Sequence, residues 1–217
     1  MAAPITQLNA PVAFVTGNHE YLAGSVPAKL AYLRSVGVTI LENDILRVSI
    51  GPGGKAALAV NASFSSLSFD LLGVPDWAES KKPGPWVAAD LPGAVASRNT
   101  SRELVVIAHQ PRHAPQAIDA GAGLVLHGHV HCGQVLPLHL GAYLVNPYFG
   151  GLYIVDSRHP FASNVYVSCG TVGWGPLYRH AAPKEVTLVV LRSQAVVGPH
   201  ARATTKRIVC TGTTTGC

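Results

Sequence analysis

The sequence predicts an α/β fold, and three segments carry that prediction. Val12–Thr16, Leu104–Ala108 and Leu124–Leu126 are short apolar runs, the pattern of strands covered on both faces. Each ends in polar side chains: Gly17-Asn18-His19-Glu20 after the first, His109-Gln110-Pro111 after the second, His127-Gly128-His129-Val130-His131 after the third. Loops at the carboxyl ends of strands form the ligand crevice of open α/β sheets, so a repeated strand-then-histidine design points to one shared chemistry. Alternate residues His129 and His131 can present nitrogens to one place, because Gly128 lets the backbone bend between them. Neutral imidazole is the commonest side-chain metal ligand, which makes that pair a candidate metal half-site.

The other elements follow in order. Ser25 ahead of Pro27 has the form of an N-cap with proline in the first turn, and Leu30, Leu33 and Val36 fall on one face, which predicts a helix over about Val26–Val36 closed by Gly37. Val38–Leu41 and Ile45–Ile50 are strand candidates joined at Asn43-Asp44, and Leu67–Leu72 is a further strand. Residues 75–102 shift to Pro, Gly, Ala and Lys and read as a surface excursion with a short helix near Leu91–Ala96. Pro115–Ala120 predicts a short helix ending at Gly121, and Tyr153–Val155, Val165–Ser168 and Glu185–Leu191 complete a second set of strands. From Gln194 the pattern ends in a Thr-rich polar stretch, expected to be disordered. The expected organisation is one domain over 1–193 and a disordered tail over 194–217.

Hydrophobic residues make up 48% of the 217-residue chain and charged residues 12%, which excludes a disordered polyelectrolyte and a coiled coil. The formal charge of +5 is not gathered into a Lys/Arg block or an aromatic-interleaved stripe, so no nucleic-acid-binding signature is present. No stretch reaches the ~18 uninterrupted apolar residues of a membrane helix. Cys132, Cys169, Cys210 and Cys217 show no Cys-x-x-Cys spacing, which argues against a zinc knuckle and a small disulfide scaffold.

Gly-Asn-His, then strand-His, then Gly-His-x-His, in that order, resembles the calcineurin-like metallophosphoesterases. The likeness runs from about Pro11 to Arg192. Tyr21, the Leu33–Val38 run, Asn146-Pro147-Tyr148-Phe149 and Gly170-Thr171 through Trp174-Gly175-Pro176 align it with the branch of transmembrane proteins carrying a metallophosphoesterase domain. The resemblance implies a two-sheet α/β sandwich and hydrolysis of phosphate mono- or diesters by a hydroxide shared between two divalent metals. It assigns Asn18, His109 and His129 to one metal, His131 to the other, and His19 to protonation or charge stabilisation at the leaving oxygen. Arg112 and His113 are weaker candidates for phosphate contact. Manganese, iron and zinc are not distinguished by such ligands.

The departures from the family pattern shape the expectation equally. The family's first two strands bring Asp-x-His and Gly-Asp, whereas no Asp, Glu or His precedes His19 here. The expectation is therefore the C-terminal part of the domain, with its sandwich incomplete at the N-terminus. At most one metal is expected on this chain, little activity from it alone, and self-association through an unfilled sheet region. The alternative is a non-catalytic remnant or binding module that keeps at most a mononuclear metal site. The compartment is not readable, although the full-length relatives that the branch implies are membrane-anchored. His127 and Cys132 stand where the family carries Ser or Thr and Gly, and a Cys132 thiol beside His131 would favour softer metals.

Overall fold

A computed structural model describes residues 7–8, 10–22, 24–50, 56–59, 68–175, 178–191 and 204–209. The chain divides into two compact units, residues 1–109 and 110–217. Both mix helix and strand, as expected.

In the first unit β1 (Val12–Phe14) pairs in parallel with β2 (Val38–Ile40), and a larger ladder runs in the order β4 (Ala56–Ala59), β3 (Asp44–Ile50), β5 (Ser68–Val74), β6 (Leu104–Ala108). β3 is antiparallel to both β4 and β5, while β5 and β6 are parallel with Leu72 opposite Val106. Among the described residues β1 has β2 as its strand partner. Between them α1 (Asn18–Leu22) and α2 (Val26–Ser35) complete the crossover. Ser25 caps α2 as predicted, its Oγ accepting from the Ala28 amide at 3.3 Å. Gly37, at φ +86°, turns the chain back into β2 in a conformation that glycine alone adopts cheaply. The apolar face of α2 buries Val26 and Leu30 against Val38 and Ile40, with Val12, Phe14, Tyr21 and Trp86 packed around them. Gly73 of β5 admits that layer: a β-carbon there would fall 2.7 Å from Leu41 Cδ1 and 2.8 Å from Val15 Cγ1. The excursion after β5 is ordered by Asp76, whose Oδ1 accepts from the Ala78 and Glu79 amides, and it contains the short α3 (Leu91–Val95), capped by Asp90.

In the second unit α4 (Ala114–Asp119) precedes β7 (Ala122–His127), which runs parallel to β9 (Ser163–Val167), and β8 (Gly151–Val155) pairs antiparallel with β9 as the edge strand. All five residues of β9 are buried, which follows from its place between two strands. An unpredicted helix, α5 (Leu138–Val145), lies between β7 and β8. It has no buried residue, and its sequence lacks both a cap and a polar face, so helical periodicity could not announce it. Finally β10 (Glu185–Val190) pairs antiparallel with β11 (Thr204–Val209), a strand inside the tail expected to be disordered. Residues 194–203 and 210–217 of that tail lie outside the described residues. No helix among the described residues is long and apolar enough to cross a membrane.

Candidate metal and phosphate site

The Asn18 and His109 side chains meet. β1 ends at Phe14, and the Thr16-Gly17 turn starts α1 with Asn18 as its first residue. That turn is fixed on both sides: Glu20 Oε2 accepts from the Gly17 amide at 2.7 Å, and the Glu20 amide donates back to Gly17 O at 3.2 Å, a reciprocal N-terminal cap. β6 delivers His109 one residue beyond its end, and His109 Nε2 lies 3.0 Å from Asn18 Oδ1. A carboxamide oxygen only accepts, so Nε2 carries the proton in this pairing. Metal–nitrogen and metal–oxygen bonds of ~2.1 Å place neighbouring octahedral ligands ~3.0 Å apart, so the pair already has the spacing of two ligands on one ion. His19, the next residue of α1, is exposed. Behind Asn18, the Tyr21 hydroxyl bonds Thr16 Oγ1 at 2.7 Å, and burial pushes its pKa up to about 12, with Asp76, Glu42 and Glu20 adding to the rise and Thr16 opposing it.

His129 and His131 leave β7 on a loop of unusual backbone. Five of the six residues 129–134 have positive φ: His129 at 69°, His131 at 53°, Cys132 at 49°, Gly133 at 74° and Gln134 at 55°. Each non-glycine residue there costs about 1 kcal/mol or more, so the surroundings must hold the loop. They do so with several ties. Arg179 spreads its guanidinium over four carbonyls: Nε donates to Ala182 O at 2.7 Å, Nη1 to Val172 O at 2.6 Å, and Nη2 to Cys169 O at 2.6 Å and His131 O at 3.0 Å. Burial pulls the Arg179 pKa down and Glu185 opposes that, yet a guanidinium stays charged at any ordinary pH. Gln134 exchanges two bonds with the Trp174 backbone, at 2.8 and 2.9 Å. His131 Nδ1 lies 3.2 Å from Val172 O, and since a carbonyl only accepts, that nitrogen carries the proton and Nε2 the lone pair.

The fourth tie corrects the sequence reading. Cys132 is bonded to Cys169 and offers no thiol beside His131. The pairing joins the loop after β7 to the end of its parallel neighbour β9, an adjacency that Cys spacing does not show. The φ of +49° at Cys132 also gives a physical reason for a glycine expectation at that position. Of the weaker candidates, Arg112 is exposed on the single turn Pro111–His113, while His113 is buried at 1% exposure.

The donor set falls short of a two-metal centre. Among the described residues no group of three or more His, Cys, Asp or Glu is close enough together to hold a metal ion. A dication of hard or borderline character wants roughly four to six donors with carboxylate among them. Within the first unit, Asn18 and His109 fit one edge of a coordination shell. Sequence reasoning missed Arg179, Gln134 and the Cys132–Cys169 bond. An arginine in the turn-rich stretch that runs from Gly170 was the available signal, since turns with many left-handed residues need donors for their outward carbonyls.

No family model matches the chain, and no solved structure matches it. It is 34% identical over 195 residues to the transmembrane protein with metallophosphoesterase domain of Bos taurus, a match covering 88% of this chain and 41% of that protein. It is 32% identical over 179 residues to an uncharacterized metallophosphoesterase of Helicobacter pylori, covering 82% and 42%, and 28% identical over 197 residues to a putative metallophosphoesterase of Caenorhabditis elegans, covering 88% and 37%. The chain thus spans about two fifths of the length of these curated relatives. Over most of its length, then, the chain is a relative of the metallophosphoesterases, the family its histidine motifs indicate.

Proposed function

We propose that residues 12–192 are the histidine-bearing part of a metal-dependent phosphoesterase, and that hydrolysis of phosphate mono- or diesters belongs to a longer protein that also supplies Asp-x-His and Gly-Asp motifs. The observation that supports this is the Asn18–His109 pair, held at the spacing of two ligands on one ion. A divalent metal pair, when bound, supplies hydroxide at neutral pH and positive charge for the phosphate oxygens. Asn18, His109 and His129 are proposed as donors to one ion and His131 as a donor to the other, its Nε2 oriented by the bond at Nδ1. His19, exposed on α1, is proposed to hand a proton to a leaving oxygen, a role suited to an imidazole near neutral pH. Arg112 is the candidate phosphate contact on the Pro111–His113 turn.

The test compares the 217-residue chain with the product of the same reading frame extended upstream, on an aryl phosphate and an aryl phosphodiester with added manganese or zinc. The 217-residue chain should show no turnover above buffer, and the extended protein should show metal-dependent turnover abolished by His109→Ala. An extended frame without the two acidic motifs, or an inactive extended protein that contains them, gives the role to a non-catalytic module.

A further inference from the structure

Helix α5 exposes apolar side chains over most of its circumference, with His139 and Ala142 half-buried on the remaining face. Leu138, Leu140, Tyr143, Leu144 and Val145 are all open to solvent, Leu140 at 65% and Leu144 at 71%. At 100° per residue Leu138 and Leu140 point ~200° apart, and the exposed side chains together cover roughly 220° of the helix, a partial sleeve wider than a single stripe. Leu136 at its start is exposed too, and so are Leu152 and Ile154 on the outward face of the edge strand β8. Leu136, Leu140, Tyr143 and Phe149 line a groove of about 380 Å³ along the helix. An exposed apolar surface running from Leu136 along α5 is uncommon on a soluble monomer and marks an interaction site.

Two observations select what covers it. A protein groove takes a helix through one narrow line of anchors spaced three and four residues apart, whereas a bilayer interface accepts apolar side chains over a wide arc such as this one. The charge distribution agrees. Not one Asp, Glu, Lys or Arg occurs between Asp119 and Asp156, so no charged group has to be desolvated when this segment enters an apolar phase. Residues 1–109 carry eight basic against eight acidic side chains, and residues 110–217 carry eight against three, so the whole formal charge of +5 belongs to the unit that bears the sleeve. Apolar burial combined with attraction of a basic body to anionic headgroups is the binding mode of interfacial proteins. Tyr143, Tyr148 and Phe149 add rings suited to the headgroup boundary.

We propose that α5 docks this chain on an anionic lipid bilayer. The helix lies in the interface without crossing it, because its eight residues reach only ~12 Å. Two residues separate Gln134, the end of the left-handed loop, from Pro137, which immediately precedes the helix, so docking sets that loop at the lipid surface.

The experiment is co-sedimentation of the full 217-residue chain with phosphatidylcholine vesicles and with vesicles that also contain phosphatidylserine. The chain should pellet with the phosphatidylserine vesicles, less with phosphatidylcholine alone, and less again in high salt. The double substitution Leu140→Glu/Leu144→Glu, at two exposed positions, should lower binding at least about tenfold while circular dichroism stays unchanged. Should that variant misfold, Tyr143→Trp serves instead: its added emission should shift to the blue on addition of phosphatidylserine vesicles. A chain that stays in the supernatant with both vesicle types, equal pelleting with both, or an added emission in the Tyr143→Trp variant that ignores lipid overturns the proposal. So does a lipid-independent dimer in light scattering that Leu140→Glu/Leu144→Glu dissolves, which would give the sleeve to a second copy.

Discussion

Gly17 lies beneath the imidazole of His109: a β-carbon at Gly17 would fall 2.8 Å from Cε1 of the ring and 2.9 Å from Cγ and Cδ2. Backbone of one strand exit thus acts as the floor for the candidate ligand of another. Gly17→Ala should push the ring off that floor, break the bond to Asn18, and destabilise the chain by about 1–3 kcal/mol through overpacking. Urea unfolding of both proteins measures the loss. A change within about 0.5 kcal/mol, in the range of an ordinary surface substitution, would show that the ring moves freely.

Arg179 holds the His131 loop through four carbonyls, and charged hydrogen bonds of this kind contribute about 1.5–3 kcal/mol each when well shielded. Arg179 is only half-buried, so the expected loss for Arg179→Ala is about 2–4 kcal/mol in all. Arg179→Lys should recover less than half of it, because an ammonium cannot reproduce the planar fork. Equal stability of the Lys and Arg proteins would argue that only the charge matters.

The Cys132–Cys169 bond spans a sequence separation of 37 residues, which in the chain-entropy picture stabilises the folded state by about 4 kcal/mol. Paired Cys132→Ala/Cys169→Ala substitution should lower stability by that order, with the left-handed residues 131 and 132 relaxing first. Peptide mapping without reductant should recover the two cysteines as one linked species. Separate, alkylatable peptides from the native chain would contradict the bond.

Tyr21 gives a pH test. Its pKa is raised to about 12 in the folded chain, against about 10 in an unfolded one. The folded state therefore keeps the proton where the unfolded state has lost it. Stability linked to Tyr21 is fully present below about pH 10 and drains away as pH rises through about 12. Tyr21→Phe should flatten that alkaline decline, as followed by urea midpoints across the window. An identical decline in both proteins would assign it to other groups.

How much of this was legible in the sequence depends on the range of each interaction. The strands ending at Phe14, Ala108 and His127, and the cap at Ser25, were visible because a short apolar run and a Ser-x-Pro start are local signals. The Asn18–His109 contact was visible only as two similar strand ends, 91 residues apart. Arg179, Gln134 and the Cys132–Cys169 bond stayed hidden because their partners are backbone atoms or a residue on a neighbouring strand, which no spacing encodes. Helix α5 stayed hidden because a helix without a polar side has no period to detect.

The disulfide has a topological consequence as well. Cys132 and Cys169 bracket α5 and β8, so residues 133–168 form a covalent ring that contains the entire apolar sleeve. A protease that nicks the ring once opens a backbone without releasing a fragment: the two pieces stay tethered through sulfur. Limited digestion should yield a product that migrates as the intact chain until a reductant is added and then falls into two. A cleavage at one of the exposed leucines would thus leave the chain whole in an oxidising medium and divide it in a reducing one.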